Sequence, residues 1–114
     1  MSAPTSIPQA FATVVVVGGP PELVAAVRQA AGVAASARVE TSEISNAATV
    51  IATSRPFAIV MSEDIYAFDS VEFDSLARDV RAALIKVATA GLDAPKLERI
   101  LMPKLGRALR RSRR

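Results

Sequence analysis

The sequence predicts an α/β domain with a small parallel sheet of three strands, or four if residues 84–89 form one. Helices flank the sheet in βαβαβα order, and a further C-terminal helix follows. Two runs carry this reading. Thr13-Val14-Val15-Val16-Val17 and Phe57-Ala58-Ile59-Val60-Met61 are short, almost wholly apolar and followed by turn-forming residues. A strand apolar at every position is one covered on both faces, which helix-flanked parallel sheets provide. The third observation is size. The chain has 114 residues, 51% of them hydrophobic, which suits one domain with its own core.

Met1 to Ala12 is small, polar and carries two prolines, and it is expected to be a flexible lead-in. The α/β body is then 13–103, and 104–114 forms a basic helix end and tail. Strand 1 is Thr13–Val17. Helix 1 starts at the Gly19-Pro20 junction, because proline's fixed φ and missing N–H suit a first turn. It is expected to stop near Ala31, with Gly32 as the residue beyond its end.

Residues 37–44 alternate weakly and read as strand 2, near a sheet edge. Ser45 is a plausible cap for helix 2, which Pro56 ends. Strand 3 is Phe57–Met61, with Ser62-Glu63-Asp64 as a polar turn. Asp69, with Glu72 three residues on, forms a capping pattern. Phe73, Leu76, Val80, Leu84 and Val87 follow at spacings of three and four. Their unbroken stripe favours one helix from Ser70 to about Ala90 over a strand at 84–89. Asp93 and Pro95 open the last helix, with Pro103 expected to interrupt it.

Composition excludes several chemistries. The chain has no cysteine and no histidine, which removes disulfides, thiolate metal sites and the commonest general base. Four Phe, one Tyr and no Trp leave little material for stacking platforms. No apolar run approaches a membrane span and no signal segment is visible, so a cytoplasmic protein without membrane contact is expected. The net charge of +3 hides an asymmetry. Residues 96–114 hold eight Lys/Arg against one Glu, whereas residues 62–80 hold six acids against Arg78 alone.

Val14–Ala30 together with Phe57–Ser62 resembles the opening of response-regulator receiver domains. Pro21-Glu22-Leu23 matches a start to helix 1 common in that family. The resemblance implies a flavodoxin-like doubly wound fold and a degenerate or truncated receiver. Gly18-Gly19-Pro20 occupy the family's magnesium-binding acidic positions, and Ser62 occupies the place of its phosphoacceptor Asp. Thr89 would match the family's Thr/Ser if 84–89 were a strand, and no fifth strand with its lysine follows. The vacated pocket is Gly18, Gly19, Ser62, Glu63 and Asp64. It implies no metal, no cofactor and no enzymatic turnover.

The residues themselves support the same caution. Glycines offer magnesium only backbone carbonyls, and serine is a weak nucleophile without a base. Gly18-Gly19 matches neither the dinucleotide nor the Walker phosphate pattern, and Pro20 and Pro21 remove amides an anion would need. Glu63 and Asp64 are either a lone cation site or a solvated loop.

Two surfaces remain. Leu97, Ile100, Leu101, Leu105 and Leu109 form an amphipathic stripe that either covers the chain's own sheet or binds a partner, a second copy included. Acidic helix 3 and the basic last helix complement one another, which favours homo-oligomers. Lys104, Arg107, Arg110, Arg111, Arg113 and Arg114 provide for nonspecific nucleic-acid binding as the alternative. The expectation is a non-catalytic signalling-adaptor module that binds protein partners of unknown identity.

Overall fold

The computed structural model describes residues 12–112. Apart from Ala12, the N-terminal lead-in lies outside the described residues, as do Arg113 and Arg114. The elements are β1 (Thr13–Val17), α1 (Pro21–Ala35), β2 (Arg38–Ser42), α2 (Ala47–Ser54), β3 (Ala58–Ser62), α3 (Glu63–Phe68), α4 (Ser70–Val80), β4 (Ala83–Val87) and α5 (Ala94–Ser112). The four strands form one parallel sheet in the order β2-β1-β3-β4. The expected α/β class holds, in its four-stranded form.

Alternation along the central strands explains their composition. Val14, Val16, Ala58 and Val60 point to one side, joined by Ile85 and Val87 from β4, and pack against α1 and α5. Val15, Val17, Ile59 and Met61 point to the other side, against Ile51 of α2 and Phe73 and Ala77 of α4. Every residue of β3 is buried, as is every residue of β1 except Thr13, so neither strand has a polar face. Among the described residues no helix is long and apolar enough to cross a membrane.

Several boundaries differ from expectation, and each has a local cause. Helix α1 runs through Gly32 and ends only at Ala35, where Ser36 turns left-handed at φ 50° and donates its N–H to the Ala31 carbonyl. Ser45 does not cap α2. It sits in a 3-10 turn, Ile44–Asn46, that precedes the helix. Residues 70–90 are not one helix. Arg81 takes the left-handed conformation at φ 60° and closes α4 through the Ala77 and Arg78 carbonyls, which frees Ala83–Val87 to pair with β3 as the edge strand.

Helix α5 is continuous across Pro103. The proline leaves the Arg99 carbonyl without its helical donor, yet Leu97, Leu101 and Leu105 on either side are fully buried and hold the helix down.

Candidate functional site

In a sheet of this order the strand sequence reverses between β1 and β3, and the crevice beyond their carboxyl ends is where such folds place ligands. Gly18 follows β1 there at φ 59°, and Gly19 follows at φ 129°. The Gly18 N–H donates to the Ser42 carbonyl at 2.7 Å, tying the ends of β1 and β2 together. A Cβ on Gly18 would lie 2.8 Å from Ile65 Cδ1 and 3.3 Å from Ile44 Cγ1. Two isoleucines, one from α3 and one from the turn after β2, therefore lie close against the Gly18 backbone.

The other members of the expected pocket are spent on structure. Ser62 is buried and its hydroxyl accepts from the Ile65 N–H at 3.3 Å, as the cap of α3. Glu63 and Asp64 are exposed in the first turn of that helix, where negative charge suits the helix dipole. Among the described residues no three His, Cys, Asp or Glu come together as a metal set.

Beside the two isoleucines a cavity of about 400 Å³ opens over the ends of β1 and β2, with Gly18 and Gly19 themselves in its wall. Thr41, Ser42, Glu43 and Asn46 supply its polar lining, so the one formal charge on its wall is negative. The Ser42 hydroxyl is turned away to the Glu43 carbonyl at 2.8 Å. The start of α1 offers an anion little. Pro20 and Pro21 have no N–H, and the amides of Leu23 and Val24 both donate to the Pro20 carbonyl.

The conspicuous chemistry lies on the outer surfaces. Glu63, Asp64, Asp69, Glu72, Asp74 and Asp79 are all exposed on α3 and α4, on one side of the sheet. Lys96, Arg99, Lys104, Arg107, Arg110 and Arg111 are exposed on α5, which packs against the opposite side. The apolar stripe of α5 is not offered to a partner. Leu97, Leu101 and Leu105 are fully buried in the chain's own core, and Ile100 and Leu109 are half-buried against it.

Lys104, Arg107 and Arg111 stand on the flank of α5 that overlooks β4. With Ala83, Leu84, Ile85 and Lys86 they line a groove of about 220 Å³. On the far face of β4 the Lys86 ammonium lies 4.3 Å from the centre of the Tyr66 ring. The Tyr66 hydroxyl donates to the Asp74 carboxylate, at 3.0 and 2.9 Å from its two oxygens. That hydrogen bond, with partial burial and the Asp74 charge adding to it, raises the Tyr66 pKa above the usual tyrosine value.

Sequence reasoning missed Ile44 and Ile65 as the side chains against Gly18, since an isoleucine next to a turn signals nothing by itself. Lys86 stands out in the sequence as a charge that a strand at 84–89 would tolerate only near an edge, and the edge strand is where it lies. Its contact with Tyr66 had no sequence signal.

No protein-family model matches the chain, and no curated protein matches it significantly in sequence. Among solved structures it is similar to the lactose-specific IIB component domain of the phosphoenolpyruvate:carbohydrate phosphotransferase system from Streptococcus pneumoniae. The TM-score is 0.51 at 14% identity, covering 90% of this chain and 93% of that one. At that identity the likeness is one of fold. The expected receiver resemblance, and the pseudo-receiver signalling module it implied, are thereby corrected: the similar structure is a phosphotransferase-system domain and not a receiver. The likeness also corrects the expectation of a non-enzymatic protein, because the similar structure is a component of a phosphotransferase system.

Proposed function

We propose that the chain is a protein-docking domain that works through two oppositely charged surfaces, in the cytoplasm, and that its partners include its own copy. The observation that supports this most is the segregation of charge. Exposed acids gather on α3 and α4, exposed bases gather on α5, and the sheet lies between them. Such an arrangement lets one copy present its acidic side to the basic side of the next, an association that strengthens encounter rates and weakens with salt.

The test is sedimentation of the full chain at rising concentration in low and high salt. Salt-sensitive self-association, lost on reversing Arg107 and Arg110 to Glu, supports the reading. A strictly monomeric species at all concentrations removes the self-association part. Truncation at residue 104 is a poor test, because Leu105 and Ala108 belong to the core.

A second reading, nonspecific nucleic-acid binding, rests on the exposure of Lys104, Arg107, Arg110 and Arg111 along one helix. Retention of labelled duplex or single strands at low salt, with a steep loss as salt rises, would favour it.

A further inference from the structure

We propose that the open edge of β4, together with the basic flank of α5, binds an acidic extended segment of a partner protein as a fifth strand. The proposal rests on the protein-docking reading and names the surface and the chemistry of the partner.

The edge is open in a specific way. Among the described residues β4 pairs with β3 alone, and the sheet order ends at β4. The Ala83 N–H donates to the Phe57 carbonyl at 2.9 Å, so Ala83, Ile85 and Val87 turn their backbone groups inward to β3. By the alternation of a strand, Leu84 and Lys86 turn their N–H and C=O groups outward. An edge strand of this kind is a template for another chain. Added strands draw their affinity from such backbone bonds and their specificity from the side chains alongside.

Here those side chains are Lys104, Arg107 and Arg111, the groove's cations on α5, with Lys86 on β4 itself. Three and four residues of helix advance about 4.5 and 6 Å, whereas alternate residues of a strand advance about 6.6 Å. The two spacings do not match residue for residue, but long Lys and Arg side chains can reach acids at alternate positions of an added strand.

The choice of occupant follows from charge and conformation. A second copy of β4 is disfavoured, because a two-fold pairing would set Lys86, Lys104, Arg107 and Arg111 against themselves. The chain's own acidic stretch is already folded into α3 and α4 and cannot lie extended. A nucleic-acid strand would satisfy the cations but not the edge. Leu84 and Lys86 offer carbonyls as well as amides, and phosphate oxygens cannot donate to them, whereas a peptide meets both. No aromatic side chain lines the groove to stack a base.

The test measures fluorescence anisotropy of a labelled peptide alternating Glu and Val against the full chain at low salt. The controls are the same peptide with Lys in place of Glu, and the Glu peptide N-methylated at alternate residues so that it keeps its charge but cannot pair. The expected result is binding of the Glu peptide only. Affinity should fall about tenfold in the R107E/R111E variant, the loss of two partly screened ion pairs. It should also fall in Lys86→Pro but much less in Lys86→Ala, since proline removes the outward N–H and alanine keeps it.

Equal binding of the N-methylated peptide would overturn strand addition while leaving charge-driven docking intact. Unchanged affinity in R107E/R111E would overturn the role of the basic flank. Failure of the Glu peptide to bind at all would overturn the proposal, with the sedimentation assay deciding the docking reading separately. Complete displacement of the peptide by an oligonucleotide that itself binds more tightly would transfer the surface to nucleic acid.

Discussion

Replacing Gly18 with alanine tests whether Ile65 rests against the glycine backbone at the end of β1. Two costs arise. Gly18 sits at φ 59°, and a side chain in that region costs about 1–2 kcal/mol. The new Cβ would then lie 2.8 Å from Ile65 Cδ1, well inside the roughly 3.5–4.0 Å at which carbon atoms attract. Ile65 must shift its terminal methyl, the free end of its side chain, which adds up to about 1 kcal/mol and brings the total for Gly18→Ala to about 2 kcal/mol, against the 5–15 kcal/mol typical of a domain.

Removing the offending atom should remove the second cost. Ile65→Val deletes Cδ1 at about 0.5–1.5 kcal/mol by itself. In that background Gly18→Ala should lose only the backbone part and a smaller contact with Ile44 Cγ1, which stays at 3.3 Å. The expected coupling is about 1 kcal/mol, measured as midpoint shifts in urea unfolding of the four proteins of the cycle. Circular dichroism is the probe, since the chain has no tryptophan. Additivity within about 0.3 kcal/mol would mean that Ile65 does not rest on Gly18.

Further predictions address the same framework. Leu101→Ala should cost about 2–5 kcal/mol, because Leu101 is fully buried, whereas Leu109→Ala at the half-buried rim should cost much less in the same urea assay. Ser62→Ala should destabilise by about 1 kcal/mol through loss of the α3 cap. Tyr66 is the sole tyrosine, so its ultraviolet absorbance reports one group. Its midpoint should lie above that of the unfolded chain and fall in Asp74→Asn. Because the folded value is the higher one, the stabilisation from the Tyr66–Asp74 bond is complete below the unfolded pKa and disappears as pH rises through the folded one.

The central strands were legible because a parallel sheet buried on both sides demands apolar residues at every position, and Val14–Val17 and Ala58–Met61 meet that demand without exception. The edge strand β4 was not. Phe73, Leu76, Val80, Leu84 and Val87 keep helical spacing straight through the break, and the residue that makes the turn is Arg81, not glycine or asparagine. Its left-handed geometry is imposed by the sheet beyond it, so no local signal announces it.

Helix α5 shows the converse. Pro103 carried a strong local signal for interruption, and the burial of Leu101 and Leu105 outweighs it. The receiver resemblance went astray because a strand followed by a Pro-Glu-Leu helix start marks an architecture that several families share. The acidic and basic stretches were visible as runs of charge. That they fall on opposite sides of the sheet depends on strand order, which composition does not encode.

The two sides of the sheet are roofed unequally. One carries α1 and α5, of 15 and 19 residues, and the other carries α2, α3 and α4, of 8, 6 and 11. Short helices hold little stability of their own, so the molecule should breathe from one side only. Deuterium should enter the amides of α2, α3 and α4 through partial openings, while those of α1, α5, β1 and β3 wait for global unfolding. A partner seated on the acids would meet a yielding roof, and one seated along β4 and α5 would meet a wall.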